Sequence, residues 1–157
     1  MTDTRTAAAP MSPGTYLRKR RIAAGLSIEQ LAALIAAAPR QVIAARGEIE
    51  AMERDALRAG AAEALIRRLR NFFPFDGEIL ATLRLLAADP ESSLPRPMVC
   101  RRCACSWHDP CLDEARGSCA WAEEGERPLC TFCRTDEPEP GDVVPPPAND
   151  GEVRNAA

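Results

Sequence analysis

The sequence predicts a mainly α fold, in which a block of five short helices precedes a small cysteine-rich module, with disordered segments at both ends. Three observations support this prediction. Apolar residues make up 46% of the 157 residues but aromatic residues only 4%, a composition that suits small helices better than a β-sandwich. All seven cysteines lie in one short stretch near the C-terminus. Most of the 14 prolines lie outside the stretch with helical apolar periodicity.

Composition divides the chain into five segments. Residues 1–11 and 134–157 lack apolar periodicity and are predicted to be disordered, the second of them as an acidic tail. Residues 12–88 form the helical block, residues 89–99 a proline-rich linker, and residues 100–133 the cysteine-rich module. The net charge of −3 combines a mildly basic helical block with an acidic tail.

Several classes of protein are excluded by what the sequence lacks. No run of 18 apolar residues occurs, so we expect neither a membrane span nor a membrane partner. The first residues lack the apolar stretch of a secretory signal, so a cytoplasmic protein is expected. We recognise no acid–base pair, activated nucleophile or phosphate-binding loop, so we expect no enzyme. A zinc-dependent enzyme is the least favoured alternative.

The first two helices have clear start and stop signals. Ser12 can cap the first helix, and Gly25 can end it in the left-handed conformation. Ser27 and Gln30 form a capping box at the start of the second helix, which must end before Pro39. The apolar residues expected to be buried by this second helix are Ile28, Leu31, Leu34 and Ile35.

Three further helices follow in the helical block. Residues 40–58 are helical in composition but interrupted by Gly47, so we expect a long turn over residues 36–47 and a recognition helix that opens with Glu48. The fourth helix starts after Gly60, and Asp76 can cap the fifth. The apolar residues that these helices should bury are Ile49, Met52, Leu57, Leu65, Ile66, Leu69, Ile79, Leu80, Leu83 and Leu86.

The helical block resembles a known family of DNA-binding domains. Residues 16–32 combine a basic helix, the sequence Ala-Gly-Leu-Ser and a Leu-Ala helix, and are similar to the first two helices of the phage-repressor-type (XRE, Cro/repressor-like) helix-turn-helix domain. Residues 49–55 are similar to the family segment that closes the recognition helix. Residues 65–73 and 79–86 match its fourth and fifth helices. The resemblance covers residues 13–88 and implies a five-helix fold that binds DNA, usually as a homodimer on a near-palindromic site.

The resemblance also implies which side chains would contact DNA. The four consecutive basic residues of the first helix are candidates for phosphate contacts. Three polar residues before and within the recognition region are candidates for base or phosphate contacts. Glu48 and Glu50 depart from this pattern, because carboxylates repel phosphates. The expected DNA-binding residues are Arg18, Lys19, Arg20, Arg21, Arg40, Gln41 and Arg46.

The cysteine-rich module carries a strong metal-binding signal. Cys100-x2-Cys103 and Cys130-x2-Cys133 are two pairs separated by 26 residues, and each pair can direct two thiolates at one ion. Four thiolates with no open position form a structural zinc site. A module of 34 residues is too small to fold on apolar burial alone, so zinc should supply folding energy.

Four more potential ligands remain in the module. They are Cys105, His108, Cys111 and Cys119. Together they could form a second zinc site of three cysteines and one histidine, so one zinc ion is expected and a second fits the ligand count. The pairing of ligands between the two sites is left open. An iron–sulfur cluster, a redox Cys-x-x-Cys motif and disulfides are less favoured than zinc.

The module also resembles the C-terminal module of small uncharacterised bacterial and prophage-encoded proteins. The resemblance depends on a Cys-x2-Cys-x-Cys array, a Cys-x-Trp-x-Glu stretch at residues 119–123 and a closing Leu-Cys-x2-Cys at residues 129–133. It is specific for the module but implies no activity. Trp107, Trp121 and Phe132 are expected to form the small core of the module.

Two functions remain open from the sequence. The first is a small cytoplasmic transcription regulator that binds DNA through the helix-turn-helix and is braced by the zinc module. The alternative is a protein-interaction adaptor, in which the helical fold is degenerate and the zinc module docks on a protein partner. Residues 40–55 contain three arginines and four acidic residues, a balance that favours the adaptor.

Overall fold

Helices dominate the structure, a computed structural model that describes residues 10–123 and 128–135. The helices are α1 (Pro13–Ala23), α2 (Ile28–Ile35), α3 (Val42–Glu53), α4 (Ala59–Leu69), α5 (Gly77–Ala88) and α6 (Thr131–Thr135), and the strands are β1 (Leu112–Asp113), β2 (Gly117–Ser118), β3 (Trp121–Glu123) and β4 (Leu129–Cys130). The predicted succession of five helices in the first block is confirmed. The segments predicted to be disordered, 1–11 and 134–157, lie outside the described residues except at their inner ends.

The helix starts follow from the predicted capping residues. The Ser12 side chain accepts a hydrogen bond from the backbone N–H of Thr15. Ser27 and Gln30 form both hydrogen bonds of a capping box. The Asp76 carboxylate accepts from two backbone N–H groups at the start of α5. Each cap satisfies N–H groups that would otherwise lack a partner at the end of a helix.

The turn between α2 and α3 is shorter than the sequence predicts. A 3-10 turn over Pro39–Gln41 leads directly into α3, and the Gln41 side chain accepts a hydrogen bond from the backbone N–H of Ala37. The predicted turn to residue 47 and the predicted helix start at Glu48 are therefore wrong. Gly47 lies inside α3, because its cost of about 1 kcal/mol in a helix is outweighed by the buried side chains on either side of it.

The helical block buries one apolar core. Its buried members are Tyr16, Leu17, Leu31, Ala32, Ile35, Ala45, Ile49, Met52, Leu65, Ile66, Leu69, Phe73, Leu80 and Leu83. Leu34 is 52% exposed, although the sequence predicts it to be buried. Successive helix residues are rotated by about 100° around the helix axis. Leu31 and Ile35 therefore face the core, and Leu34 lies at the edge of that face, where solvent reaches it.

The cysteine-rich module consists of two short antiparallel strand pairs and α6. Strand β1 pairs with β2, and β3 pairs with β4. The segment before the module has neither helix nor strand, but Val99 and Ala104 are buried in the core cluster of the helical block. The module therefore packs on the helices. Among the described residues, no helix has the length and apolarity needed to cross a membrane.

Gly14 lies where α1 packs closely against the end of α3. A Cβ atom at this position would lie 2.5 Å from the carbonyl oxygen of Met52 and 2.8 Å from that of Glu53. The Gly14 N–H also donates to the carboxylate of Asp55, 2.6 Å away. Only a residue without a side chain fits between these backbone atoms.

We expect Gly14→Ala to lower the free energy of unfolding by about 1–3 kcal/mol, the usual cost of overpacking. Urea denaturation followed by circular dichroism measures the change. Gly47→Ala is the matched control, because a Cβ there meets nothing within 4 Å, and it should raise stability by about 0.5–1 kcal/mol. Equal effects of the two substitutions would contradict the close approach of α1 and α3.

Candidate metal centre

Four cysteines from two distant parts of the chain converge on one point. The Sγ atoms of Cys100, Cys103, Cys130 and Cys133 all lie within 4.8 Å of one another. Three of these residues are buried, and Cys103 is partly exposed. Four thiolates so close together form a closed donor set that suits a tetrahedral ion such as zinc. The group could therefore hold a metal ion, in agreement with the two Cys-x2-Cys pairs of the sequence.

A tight backbone turn places each cysteine pair. In the first pair, the N–H of Ala104 donates to the carbonyl of Cys100 at 2.9 Å, and Ala104 has a left-handed φ of 60°. In the second pair, Cys130 ends β4 and Cys133 lies within the short helix α6. Both turns are local, so the spacing of the cysteines is sufficient to predict them.

The thiols of the cluster influence each other's protonation. Hydrogen bonds with neighbouring thiols lower the pKa of Cys103 to about 6 and that of Cys111 to about 4. Similar hydrogen bonds raise the pKa of Cys105. Burial raises the pKa of Cys130 to about 12 and also raises that of Cys133. The pKa values of neighbouring thiols are therefore shifted in opposite directions. A divalent cation would compensate the negative charge of several thiolates at once.

A second group of thiols overlaps the first. The Sγ atoms of Cys103, Cys105, Cys111 and Cys130 also lie within 4.8 Å of one another. The Sγ atom of Cys103 is 3.5 Å from that of Cys111 and 3.8 Å from that of Cys130. Cys119 lies beside this group, since its Sγ atom is 3.7 Å from that of Cys105. Among the described residues, the ligand atoms that meet are therefore all thiols.

The second zinc site predicted from the sequence differs from this arrangement. His108 belongs to neither thiol group. It is exposed and lines a surface depression together with Phe75, Asp76 and Asp109. The predicted set of Cys105, His108, Cys111 and Cys119 is therefore not one of the groups of ligand atoms that the structure brings together. The short spacing to His108 suggests a ligand, but the chain directs this side chain towards the helical block.

The aromatic residues of the module are less buried than predicted. Trp107 is 68% exposed, and its ring meets that of Trp121 edge-on with centroids 6.1 Å apart. Phe132 is partly buried, with the guanidinium of Arg116 4.2 Å from its ring centroid. The buried core of the module consists instead of cysteines and Leu129. Its apolar burial is correspondingly small, so a metal ion held by the cysteines would contribute much of the folding energy of the module.

A buried ion pair joins the module to α1. Arg20 contacts the carboxylate of Asp109 at 2.6 Å, with side chains only 4% and 15% exposed. Nearby, the Asp76 backbone N–H donates to the hydroxyl of Tyr16 at 2.8 Å. Burial raises the pKa of Tyr16 to about 12, so this hydroxyl stays protonated at neutral pH. Lys19 donates to the carbonyl of Arg101, which adds a contact between α1 and the module.

Two of the four predicted phosphate contacts on α1 are structural residues. Arg20 and Arg21 are 4% and 5% exposed. Arg21 forms a bidentate ion pair with Glu53, with N–O distances of 2.6 and 2.9 Å. Arg18 is exposed, and Lys19 is partly buried. The sequence of the basic run does not distinguish the buried arginines from the exposed one, because the acidic partners of Arg20 and Arg21 lie far away in the sequence.

The other predicted DNA-binding residues lie at the surface around the start of α3. Arg40 and Gln41 are exposed in the 3-10 turn. Arg46 is exposed on α3 and pairs with Glu50 at 2.8 Å and with Glu29 at 3.5 Å. All three residues are therefore accessible, two of them in the turn before α3 and Arg46 in the second turn of the helix.

No protein-family model, curated protein or solved structure matches this chain. The resemblances to repressor-type domains and to prophage-encoded modules therefore stay predictions from the residues. The cysteine cluster and the exposed residues around the start of α3 are the features of the chain that bear on its function.

Proposed function

We propose that this chain is a small DNA-binding regulator. In this proposal α3 is the recognition helix, α2 precedes it in the helix-turn-helix, and the cysteine module is a structural zinc centre that supports both. The proposal depends mainly on one observation, the exposed start of α3. The predicted resemblance to repressor-type domains is consistent with it.

The exposed side chains at the start of α3 have the chemistry of base recognition. Arg40 can donate two hydrogen bonds to guanine, and Gln41 can pair with adenine. Ile43 is 84% exposed, which is unusual for isoleucine, and an apolar side chain suits the methyl group of thymine. Ala44 and Gly47 are exposed on the same helix and are small enough for the backbone to approach DNA closely.

Two exposed arginines are candidates for phosphate contacts. Arg18 is exposed on α1. The ion pairs of Arg46 with Glu29 and Glu50 are solvent-exposed, and water screens pairs of this kind so that they contribute little to stability. Arg46 can therefore exchange its carboxylate partners for a phosphate at little cost.

The zinc centre would act on DNA binding through the fold. Bound zinc would hold residues 100–133 together, and Asp109 of that module contacts Arg20 of α1. Helix α1 in turn approaches α3 closely at Gly14. Zinc would in this way stabilise the position of the recognition helix without touching DNA. A closed set of four thiolates offers no open position for catalysis.

A protein-interaction adaptor is the second candidate function. It is favoured by exposed apolar side chains on the module, where Trp107 is 68% and Leu112 is 79% exposed. Aromatic residues are enriched at protein interfaces. The carboxylates Glu48 and Glu50 on α3 also favour a protein partner over DNA. Selection of genomic DNA by the purified protein separates the two functions.

The zinc-loaded protein should enrich specific fragments from a pool of genomic DNA at two salt concentrations. We expect a near-palindromic site, because a homodimer would place two recognition helices about 34–36 Å apart. On that site, the double substitution Arg40→Ala with Arg46→Ala should weaken binding at least tenfold. It should also reduce the slope of log affinity against log salt by about 0.9 for each phosphate that the variant no longer neutralises.

Arg67→Ala is the matched control, because Arg67 is exposed on α4, outside the proposed recognition surface. It should leave affinity and salt slope nearly unchanged. If the wild-type protein retained no DNA at either salt concentration, the regulator would be rejected and the adaptor supported. If the double variant bound like the wild type, α3 would not be the recognition helix.

A further inference from the structure

We infer that the cysteines form one cluster of two divalent metal ions, in which Cys103 and Cys130 each bind both ions. The inference deepens the proposed zinc centre and rests on it. In this cluster, Cys100 and Cys133 complete the first tetrahedral site, and Cys105 and Cys111 complete the second. Six thiolates thereby provide eight metal–sulfur bonds.

The number of ligands requires sharing if two ions bind. Two separate tetrahedral sites need eight ligands, whereas the chain has seven cysteines. The single histidine, His108, lies outside both thiol groups. A second ion can therefore bind to cysteines only if at least one thiolate is common to both sites.

The geometry identifies the shared thiolates. The two groups of mutually close Sγ atoms have two members in common, Cys103 and Cys130. The Sγ atoms of these two residues are 3.8 Å apart. Zinc–sulfur bonds of about 2.3 Å in a tetrahedron place neighbouring sulfurs about 3.8 Å apart. The pair can therefore form the common edge of two tetrahedra.

The charge balance permits a second ion. One divalent ion with four thiolates has a net charge of −2, and two ions with six thiolates have the same net charge. The second ion therefore binds Cys105 and Cys111 without adding charge to a small, largely buried site. Cys105 is only 1% exposed, and its coordination would explain why a thiol is buried at this position.

Cys119 has a different part in this arrangement. Its Sγ atom accepts a hydrogen bond from the backbone N–H of Cys111 at 3.2 Å, and it belongs to neither group of four. We assign it as a positioning residue that orients the loop of Cys111. This assignment supplies the matched control, a cysteine of the same cluster that binds no ion.

The test uses the full-length protein loaded with zinc or with cadmium-113. Elemental analysis should give two zinc ions per chain. The cadmium form should give two NMR signals with scalar coupling between them, because coupling between two cadmium nuclei requires a shared thiolate. Cys111→Ser should reduce the zinc content to one ion per chain, and Cys119→Ser should retain two ions and the coupling.

Three results would overturn the inference. They are a wild-type content of one zinc ion, two cadmium signals without coupling, and loss of an ion in Cys119→Ser. Each of these leaves the proposed structural zinc centre intact. A wild-type protein that bound neither zinc nor cadmium would reject the zinc centre itself, so the two failures are distinguishable. The cadmium spectrum of the wild type requires no variant to fold.

Discussion

Removal of the metal ion that we propose at the cysteine cluster should unfold the cysteine module and leave most of the helical block folded. The strands of the module are only two or three residues long, and its core contains Leu129 and cysteines. Structural zinc sites of this kind supply about 10–16 kcal/mol of apparent binding free energy at neutral pH. No other interaction in the described part of the module provides a comparable stabilising free energy. The helical block, by contrast, has its own apolar core.

The two tryptophans make this prediction easy to measure. The chain has only Trp107 and Trp121, and both lie in the module, so tryptophan fluorescence reports on the module alone. Trp107 is already exposed, so a strong chelator should shift the emission of the partly buried Trp121 to that of exposed tryptophan, while the helical circular dichroism signal falls only slightly. Cys100→Ser should have the same effect as the chelator. Unchanged fluorescence after complete metal removal would show that the module folds without metal.

Arg20→Ala should lower the free energy of unfolding by about 3–5 kcal/mol. The substitution leaves the Asp109 carboxylate without its partner in a site that is largely screened from water, and breaking a buried pair in this way is strongly destabilising. Burial already raises the pKa of Asp109, and Arg20 opposes that rise. The pKa of Asp109 should therefore increase further in the variant.

A second ion pair in the same chain provides the control. Arg84 contacts Glu63 at 2.8 Å, but the two side chains are 37% and 51% exposed. Arg84→Ala should therefore lower the free energy of unfolding far less than Arg20→Ala does, because water screens the exposed pair. Urea denaturation of the zinc-loaded variants gives both values, and Asp109→Asn completes a double-mutant cycle with Arg20→Ala. Similar costs for the two arginine variants would show that the Arg20 pair does not hold the module on α1.

The sequence predicts the helices well because their signals are local. Ser12, Ser27 and Asp76 act on backbone groups within three residues of themselves, and apolar periodicity marks the buried faces. The failures occur where local preference competes with packing. Local preference predicts that Gly47 interrupts α3, but the buried residues Ala45 and Ile49 on either side hold it in the helix.

The cysteine spacing also predicts the first group of four thiols, because each Cys-x2-Cys pair is a local turn. The second group is different. Cys103 and Cys130 are 27 residues apart in the sequence, and their position in both groups depends on how β4 and the first cysteine turn pack. The sequence instead suggests His108 and Cys119 as the ligands that complete the second site with Cys105 and Cys111.

By itself, therefore, the sequence determined the succession of helices, the capped helix starts and a cysteine module able to bind metal. Only the tertiary structure decided which charged residues are accessible. Arg18 and Arg20 belong to the same basic run, yet Arg20 is buried against Asp109 and Arg18 faces solvent. The physical reason is distance along the chain. Caps and turns depend on neighbours three or four residues away, whereas burying a charge requires a partner that only folding brings close.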